Sequence, residues 1–368
     1  MSSDHARQPG LLHFSLGPVQ EFIESARTVR DLWTGSYLIS WLTAHAAAAV
    51  LREGAEIIPP SHADNPLIQH ALQKNAPGDR EDLLLACLPN TFIASLPGAD
   101  EAALVRLGDS AKNAVKKAWS RISEDVREKL LEQWEVDEDA WTERWKSQTG
   151  YLWDIRTTPL PAGTDIAPLC RRMNLPETPE DPLKLRLNLL GRLAAASKNI
   201  RHFPMHEDES ATGPKCSLRG DFSQLVPTRL EHWYDAHIDG DRLRPRDRFC
   251  AISLVKRFAW AGSIRRQLGM EWAARRVPDT ATIAAMDWLT ELGAADMPDR
   301  AMRAPIQEKF DHWSGHWLYW RDQNPNQLDE ATNCPDTIWK EIKRLRQVAK
   351  ERSDDTIDSM PSPYYAIV

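Results

Sequence analysis

No apolar run in this chain of 368 residues approaches the roughly 20 that a membrane-spanning helix needs. The opening segment, MSSDHARQPG, has no basic stretch leading into an apolar one, so no secretory signal is expected. Cysteine is scarce and odd in number, five copies scattered along the chain. That argues against a disulfide framework and suits a reducing, cytoplasmic setting. Charge of either sign is not in great excess: 46 Lys and Arg against 53 Asp and Glu give a formal net charge of −7. A surface coated with nucleic acid is thereby excluded, and any RNA contact has to be a local basic patch. Also missing are Gly-x-x-x-x-Gly-Lys-Ser/Thr, Gly-x-Ser-x-Gly and His-Glu-x-x-His, the signatures of phosphate-cradling loops, serine hydrolases and zinc peptidases.

What remains is ordinary in bulk, with 42% hydrophobic and 27% charged residues, and long enough for two or three domains with substantial cores. Tryptophan is abundant at 15 copies, most of them expected in cores or interfaces. The most informative stretch runs from His13 to Leu42. A short apolar strand, Leu12 to Leu16, breaks at Gly17-Pro18, and a helix follows with proline near its first turn, where a missing N–H costs nothing. Val19, Phe22, Ile23, Ala26, Val29 and Trp33 recur at steps of three and four, one apolar helical stripe. A second pattern, Leu38, Ile39, Trp41 and Leu42, continues through Ala44–Leu51 to Gly54, so the strand is expected to pack on a long or broken helix.

The turn Gly17-Pro18-Val19-Gln20 and the cluster Arg27-x-x-Arg30-Asp31-Leu32-Trp33-x-Gly35-Ser36-Tyr37 resemble the large, polymerase-like subunit of type III-B CRISPR RNA-guided effector complexes, the Cmr complexes. The resemblance implies an α+β fold: a ferredoxin-like first palm domain, then a mainly helical region with a degenerate zinc-knuckle segment. The order of elements agrees. Glu56 to Pro60 has the look of a short edge strand, Leu88 to Gly98 of another, and Asp100 of the cap of a long helix bearing Ala103, Leu104, Leu107, Ala111, Ala114, Val115 and Trp119. With Tyr151 to Ile155 as a last strand, this is a βαββαβ unit. Domains are expected at 1–158 (palm with helical extension) and 159–360 (helical, with the knuckle at about 213–257). Residues 361–368 are then the first strand of a second palm. Leu183 to Ile200, Thr280 to Leu292 and Thr337 to Arg352 are read as amphipathic helices, and Trp313, Trp317 and Trp320 as one aromatic face for a core or interface.

Many members of the resembling family carry two Cys-x-x-Cys pairs that hold zinc. Here the first is Cys216-Ser217-Leu218-Arg219 and the second Cys250-Ala251-Ile252-Ser253. Two thiolates cannot close a tetrahedral structural site, and the Arg219 guanidinium repels a cation. The expectation is a knuckle shaped by packing and hydrogen bonds, with no metal on Cys216 and Cys250; recruitment of His202 or His206 to zinc is the alternative. Arg242 to Arg276 carries ten basic and two acidic residues with Phe249, Phe258, Trp260 and Trp272 among them. Charges beside rings suit an RNA-facing surface, and a solvated helical face over buried aromatics is the other reading. Family context assigns Lys256 and Arg257 to RNA or a neighbouring subunit, and Lys198 and Arg201, in a basic helix tail, likewise.

In the family an apolar strand leads into Asp-Gly-Asp, and a later hairpin carries Gly-Gly-Asp-Asp; these carboxylates hold two metal ions for nucleotidyl transfer. The chain stops at Tyr364-Tyr365-Ala366-Ile367-Val368 with no Asp-Gly-Asp after that strand and no Gly-Gly-Asp-Asp anywhere, nor is an HD nuclease domain expected ahead of the first strand. No catalysis is therefore expected of it alone, and ATP and divalent metal are expected only with a second palm. Gln20, Arg27, Arg30, Asp31 and Ser36 are candidates for the nucleotide pocket or inter-palm face. Alternatively, Arg27 and Arg30 simply pair with Glu24 and Asp31 along a helix, at roughly 0.3–0.5 kcal/mol a pair. The implied partners are other Cmr-type subunits, guide and target RNA, and a separately encoded second palm. Three roles follow: a non-catalytic subunit, half of a split cyclic-oligoadenylate synthetase, or a relic without a role.

Overall fold

The computed structural model describes residues 8–58, 64–73, 80–175, 181–200, 214–225, 237–238, 241–243, 247–270, 280–298, 315–319, 334 and 336–352. The chain divides into two compact units, one comprising residues 1–25 and 33–273, the other residues 26–32 and 274–368.

The first unit is built on a four-stranded antiparallel sheet. Strand β1 (Pro9–Gly17) is apolar on both faces and therefore central. It pairs with β3 (Thr91–Pro97) and β4 (Asp154–Leu160), while β2 (Glu56–Ile57) holds the edge beside β3. The sheet order β2-β3-β1-β4 is that of a βαββαβ unit, in which each helix carries the chain across a strand already in place. Phe14 lies opposite Phe92 with ring centroids 4.7 Å apart, which ties the register of the central pair to an aromatic contact.

Helix α1 (Gln20–Glu24) is short and is followed by α2 (Val29–Arg52); the expected continuous stripe is thus a broken helix. After α3 (Pro66–Ala71), capped by Asn65, and β3 comes α4 (Glu101–Leu131). The Asp100 carboxylate accepts from Ala103 N at 2.8 Å, as its N-cap position predicts. Leu104, Leu107, Ala111, Val115, Trp119, Ile122, Val126 and Leu130 form the buried face of α4. Gly108 lets that helix approach β4 closely: a Cβ there would lie 2.9 Å from Thr157 Oγ1. Leu12, Phe14 and Leu16 face the large core with α2 and α4. Leu11 and Leu160 face the other way, onto Leu189 and Leu190 of α7 (Pro182–Asn199). Between them in sequence lie α5 (Glu138–Gly150) and α6 (Ala167–Arg172).

The large core does not stop at residue 158. It runs on through Cys216, Leu225, Phe249, Cys250 and α8 (Ala251–Ala259) to Met270. Residues 214–225 and α8 thus supply apolar surface to the same interior as the sheet, within the first compact unit. The described elements of this unit also include a 3-10 turn (Arg80–Leu84), a two-stranded pair, β5 (His237–Ile238) and β6 (Asp241–Arg242), and a π-helical turn (Trp260–Ile264) followed by α9 (Arg265–Gln267). Tryptophans fill its interior as expected: Trp33, Tyr37 and Trp260 meet at 5.0–5.6 Å, and buried Trp145 donates to Ser123 Oγ at 2.8 Å.

The second unit contains α10 (Thr280–Glu291), α11 (His316–Tyr319) and α12 (Asp336–Arg352) around a small core of Trp288, Leu289, Trp317, Leu318, Ile342 and Leu345. Trp313, Trp320 and the expected terminal strand at 364–368 lie outside the described residues.

Candidate functional site

The turn after β1 is where the motif residues concentrate. Phe22, buried, anchors α1 by an edge contact to Trp153 at 4.9 Å. A helix of one turn leaves its last carbonyls without intrahelical donors. Lys256 fills that need. Its ammonium donates to Phe22 O, to Ile23 O at 3.0 Å and to Ser25 O at 3.0 Å, and sits 5.1 Å from the Phe22 ring centroid. The route to those carbonyls passes over Gly35 of α2, where a Cβ would come within 2.9 Å of Lys256 Cε. The glycine of the Gly35-Ser36-Tyr37 cluster is therefore the space the lysine stem occupies.

Two acidic residues of α1 face outward. Arg219 of the knuckle donates to Glu21 at 2.7 Å and to Asp221 at 2.8 Å. Exposed Gln20 donates to Glu24 at 2.8 Å, and Ser36 is half-buried on α2.

Arg27, Arg30 and Asp31 belong to the other compact unit. Asp31 is buried and serves the backbone: its carboxylate accepts from Arg27 N and Thr28 N, each at 3.1 Å, while Thr28 Oγ1 accepts from Asp31 N at 3.2 Å. This is a capping box at the start of α2. The pattern Thr28-x-x-Asp31 was available in the sequence as a helix-start signal, and it gives Asp31 a structural task beside the expected pocket role. Arg27 is exposed and Arg30 half-buried.

Lys256 and Arg257 require a correction. Both are buried, at 2% and 5% exposure. Lys256 is spent on the carbonyls of α1, and Arg257 donates to Asp247, itself fully buried, at 3.1 Å while lying over the Phe249 ring. Buried charge demands such partners, so these two side chains do not present the RNA-facing surface expected of them. Lys198 does remain exposed in the last turn of α7, and Arg201 lies outside the described residues. Neighbouring His13 is held below its ordinary pKa, first by burial and then by the Lys198 charge.

The four knuckle positions do converge. Ser217 N donates to Arg248 O at 2.6 Å, Leu225 N to Phe249 O at 2.7 Å and Cys216 N to Phe222 O at 2.8 Å, which lays residues 214–225 beside the start of α8. Cys216 Sγ and Cys250 Sγ lie 3.4 and 3.5 Å from Ser253 Oγ, and both cysteines are buried. Interaction with Cys250 holds the Cys216 thiol well below its ordinary pKa, whereas burial pushes Cys250 well up. Two thiols, a hydroxyl and a guanidinium do not make a zinc donor set, and no group of three or more His, Cys, Asp or Glu suited to a metal occurs among the described residues. His202 and His206 lie outside them.

Sequence reasoning missed Arg186. It is buried in α7 and donates to Pro161 O at 2.8 Å and to Leu160 O and Pro9 O at 3.3 Å, pinning the sheet where β1 begins and β4 ends. An arginine in an apolar helix carries no local sign of such a role.

The N-terminal portion of the chain is similar to known proteins. Residues 11–124 match the family described as CRISPR-associated protein Cmr2, N-terminal. The N-terminal portion of the chain is Cmr2-like. The CRISPR system Cmr subunit Cmr2 of Pyrococcus furiosus is 36% identical over 97 residues, a match spanning 26% of this chain and 11% of that protein. Two solved structures of type III-B Cmr-beta share the fold at 16% identity. The apo state gives a TM-score of 0.53 over 97% of this chain and 43% of the other. The form bound to cognate target RNA gives 0.52 over 94% and 44%. The chain thus spans under half the length of these Cmr-beta chains.

Proposed function

We propose that this chain acts as the N-terminal, Cmr2-like part of the large subunit of a type III-B CRISPR RNA-guided antiviral complex, contributing scaffold, nucleotide-pocket and RNA or subunit contacts. The observation that carries the reading is that the Cmr2 N-terminal match at residues 11–124 covers β2, β3 and nearly all of β1 of a β2-β3-β1-β4 sheet, whose last strand lies at 154–160. In this reading the βαββαβ unit is a ferredoxin-like palm. Gln20 and Ser36, and separately Arg27 and Arg30, are assigned to the nucleotide or to a second palm. Lys198 is assigned to RNA or a neighbouring subunit. ATP and divalent metal belong to the pair of palms, because Gly-Gly-Asp-Asp does not occur in this sequence and its one Asp-Gly-Asp, Asp239-Gly240-Asp241, does not follow the apolar stretch at 364–368.

The test is reconstitution. The chain is mixed with the other Cmr-type subunits and a guide RNA, and assembly is followed by size-exclusion chromatography and native mass spectrometry. Co-elution with the guide-loaded complex is expected, and a chain that stays apart from it overturns the reading. A Lys198→Glu variant is expected to assemble with a salt dependence of RNA binding lower by about one phosphate contact. The split-synthetase alternative predicts an ATP-derived product only when a separate second-palm polypeptide and divalent metal are added.

A further inference from the structure

We infer that Cys216 and Cys250 form a redox-active dithiol that closes as a reversible disulfide across the knuckle, a covalent modification site linking residues 214–225 to the first turn of α8. Three observations carry it. The main-chain bonds from Ser217 to Arg248 and from Leu225 to Phe249 hold the two segments side by side, and both sulfurs lie against one hydroxyl, Ser253 Oγ, at 3.4 and 3.5 Å. Beside them sits Arg219, 5% exposed, with Nη2 committed to Glu21 and Asp221 but Nε and Nη1 without hydrogen-bond partners among the described residues. Its positive charge is close enough to interact with Cys250. A cation with uncommitted donors favours a thiolate and opposes a divalent metal at the same spot. The two cysteines also differ in access: Cys216 is 5% exposed and Cys250 not at all, so an oxidant meets Cys216 first.

The oxidant is a small peroxide. The Cys216 thiolate attacks one peroxide oxygen and the O–O bond breaks. Cys216 becomes a sulfenic acid, and the departing hydroxide takes up a proton as water. The Cys250 sulfur then displaces the sulfenic hydroxyl, its own proton leaving with that group as a second water, and the S–S bond forms. Two thiols are oxidised and one peroxide is reduced to two waters. The resulting bond fastens the knuckle to the helix that carries Lys256, and hence to the carbonyls that end α1.

The test treats the purified, reduced full-length chain with hydrogen peroxide, blocks remaining thiols with N-ethylmaleimide after denaturation, and maps peptides without reductant. A linked Cys216–Cys250 peptide is expected, lighter by about 2 Da than the sum of its reduced halves, with Cys87, Cys170 and Cys334 alkylated. Dithiothreitol is expected to restore both thiols. Cys216→Ser is expected to abolish the linked peptide, and Ser253→Ala, which leaves both sulfurs in place, to retain it. Alkylation of both cysteines after peroxide overturns the inference. So does conversion of Cys216 to a sulfinic acid without a cross-link, or zinc bound one-to-one and shielding both thiols.

Discussion

Two helices with similar basic content behave in opposite ways. In α8 Lys256 and Arg257 follow one another and both are sealed in; in α12 Lys340, Lys343, Arg344 and Lys350 all face solvent. The difference lies in what each helix has beside it. Every residue of α8 is buried, so its charges had to find Asp247 and three backbone carbonyls. Helix α12 buries only the stripe of Ile342, Leu345 and Ala349, and Trp339 lies beneath Lys343 and Arg346 at 5.4 and 5.6 Å. A charged residue is thus a surface residue only when its helix has a surface.

Breaking the sealed side should have the largest effect. Asp247→Ala strands the Arg257 guanidinium in the interior and is expected to cost about 3–5 kcal/mol. Chemical denaturation measures it, and a loss under about 1 kcal/mol would mean that Arg257 reaches water. Replacing both members together with apolar residues is expected to recover much of that loss.

His45 sharpens the comparison, being a half-buried basic group whose buried Nε2 has no hydrogen-bond partner among the described residues. Its pKa is lowered from 6.5 to about 4, first by burial and then by the positive charges of His70, Arg52 and Arg121. The unfolded chain therefore binds this proton between those values while the folded chain does not. The resulting stability is complete above about pH 6.5 and falls as pH drops towards 4. The fall is on the order of 2–3 kcal/mol, and His45→Gln is expected to flatten the melting-temperature profile across that window. An unchanged slope would assign the pH dependence to His13 and His70, whose pKa values burial also lowers.

Gly35→Ala puts a methyl group where the Lys256 stem runs and is expected to cost about 1–3 kcal/mol. In a Lys256→Met background the extra cost should shrink, because the thioether stem is able to repack; additive losses would show that the two sites are independent. At the small end, Lys340→Ala and Lys350→Ala on α12 are each expected to change stability by less than about 0.5 kcal/mol. A larger thermal shift would mean that the outward side chains carry structural contacts.

The candidate site was legible in part. The break at Gly17-Pro18, the Asp100 cap and the apolar face of α4 follow from local chemistry and stand where it puts them. The Arg27 to Asp31 cluster was visible as a motif, but Asp31 turned out to cap a helix, a role written in Thr28-x-x-Asp31 by the same local rules. Lys256 was misjudged because its partners lie more than 230 residues away in sequence, at Phe22, Ile23 and Ser25. Arg186 was missed for the same reason.

By itself the sequence determined the composition class, the order of strands and long helices, the capped helix starts and the spacing Cys216-x-x-Arg219 and Cys250-x-x-Ser253. Each depends on residues within a few positions of one another, where backbone geometry and hydrophobic period act directly. Only the tertiary structure decided that α8 is buried on every side, that Gly35 exists to pass a lysine, and that Cys216 and Cys250 meet at Ser253. Those facts depend on which distant segments share one interior, and burial is a property of the packed chain.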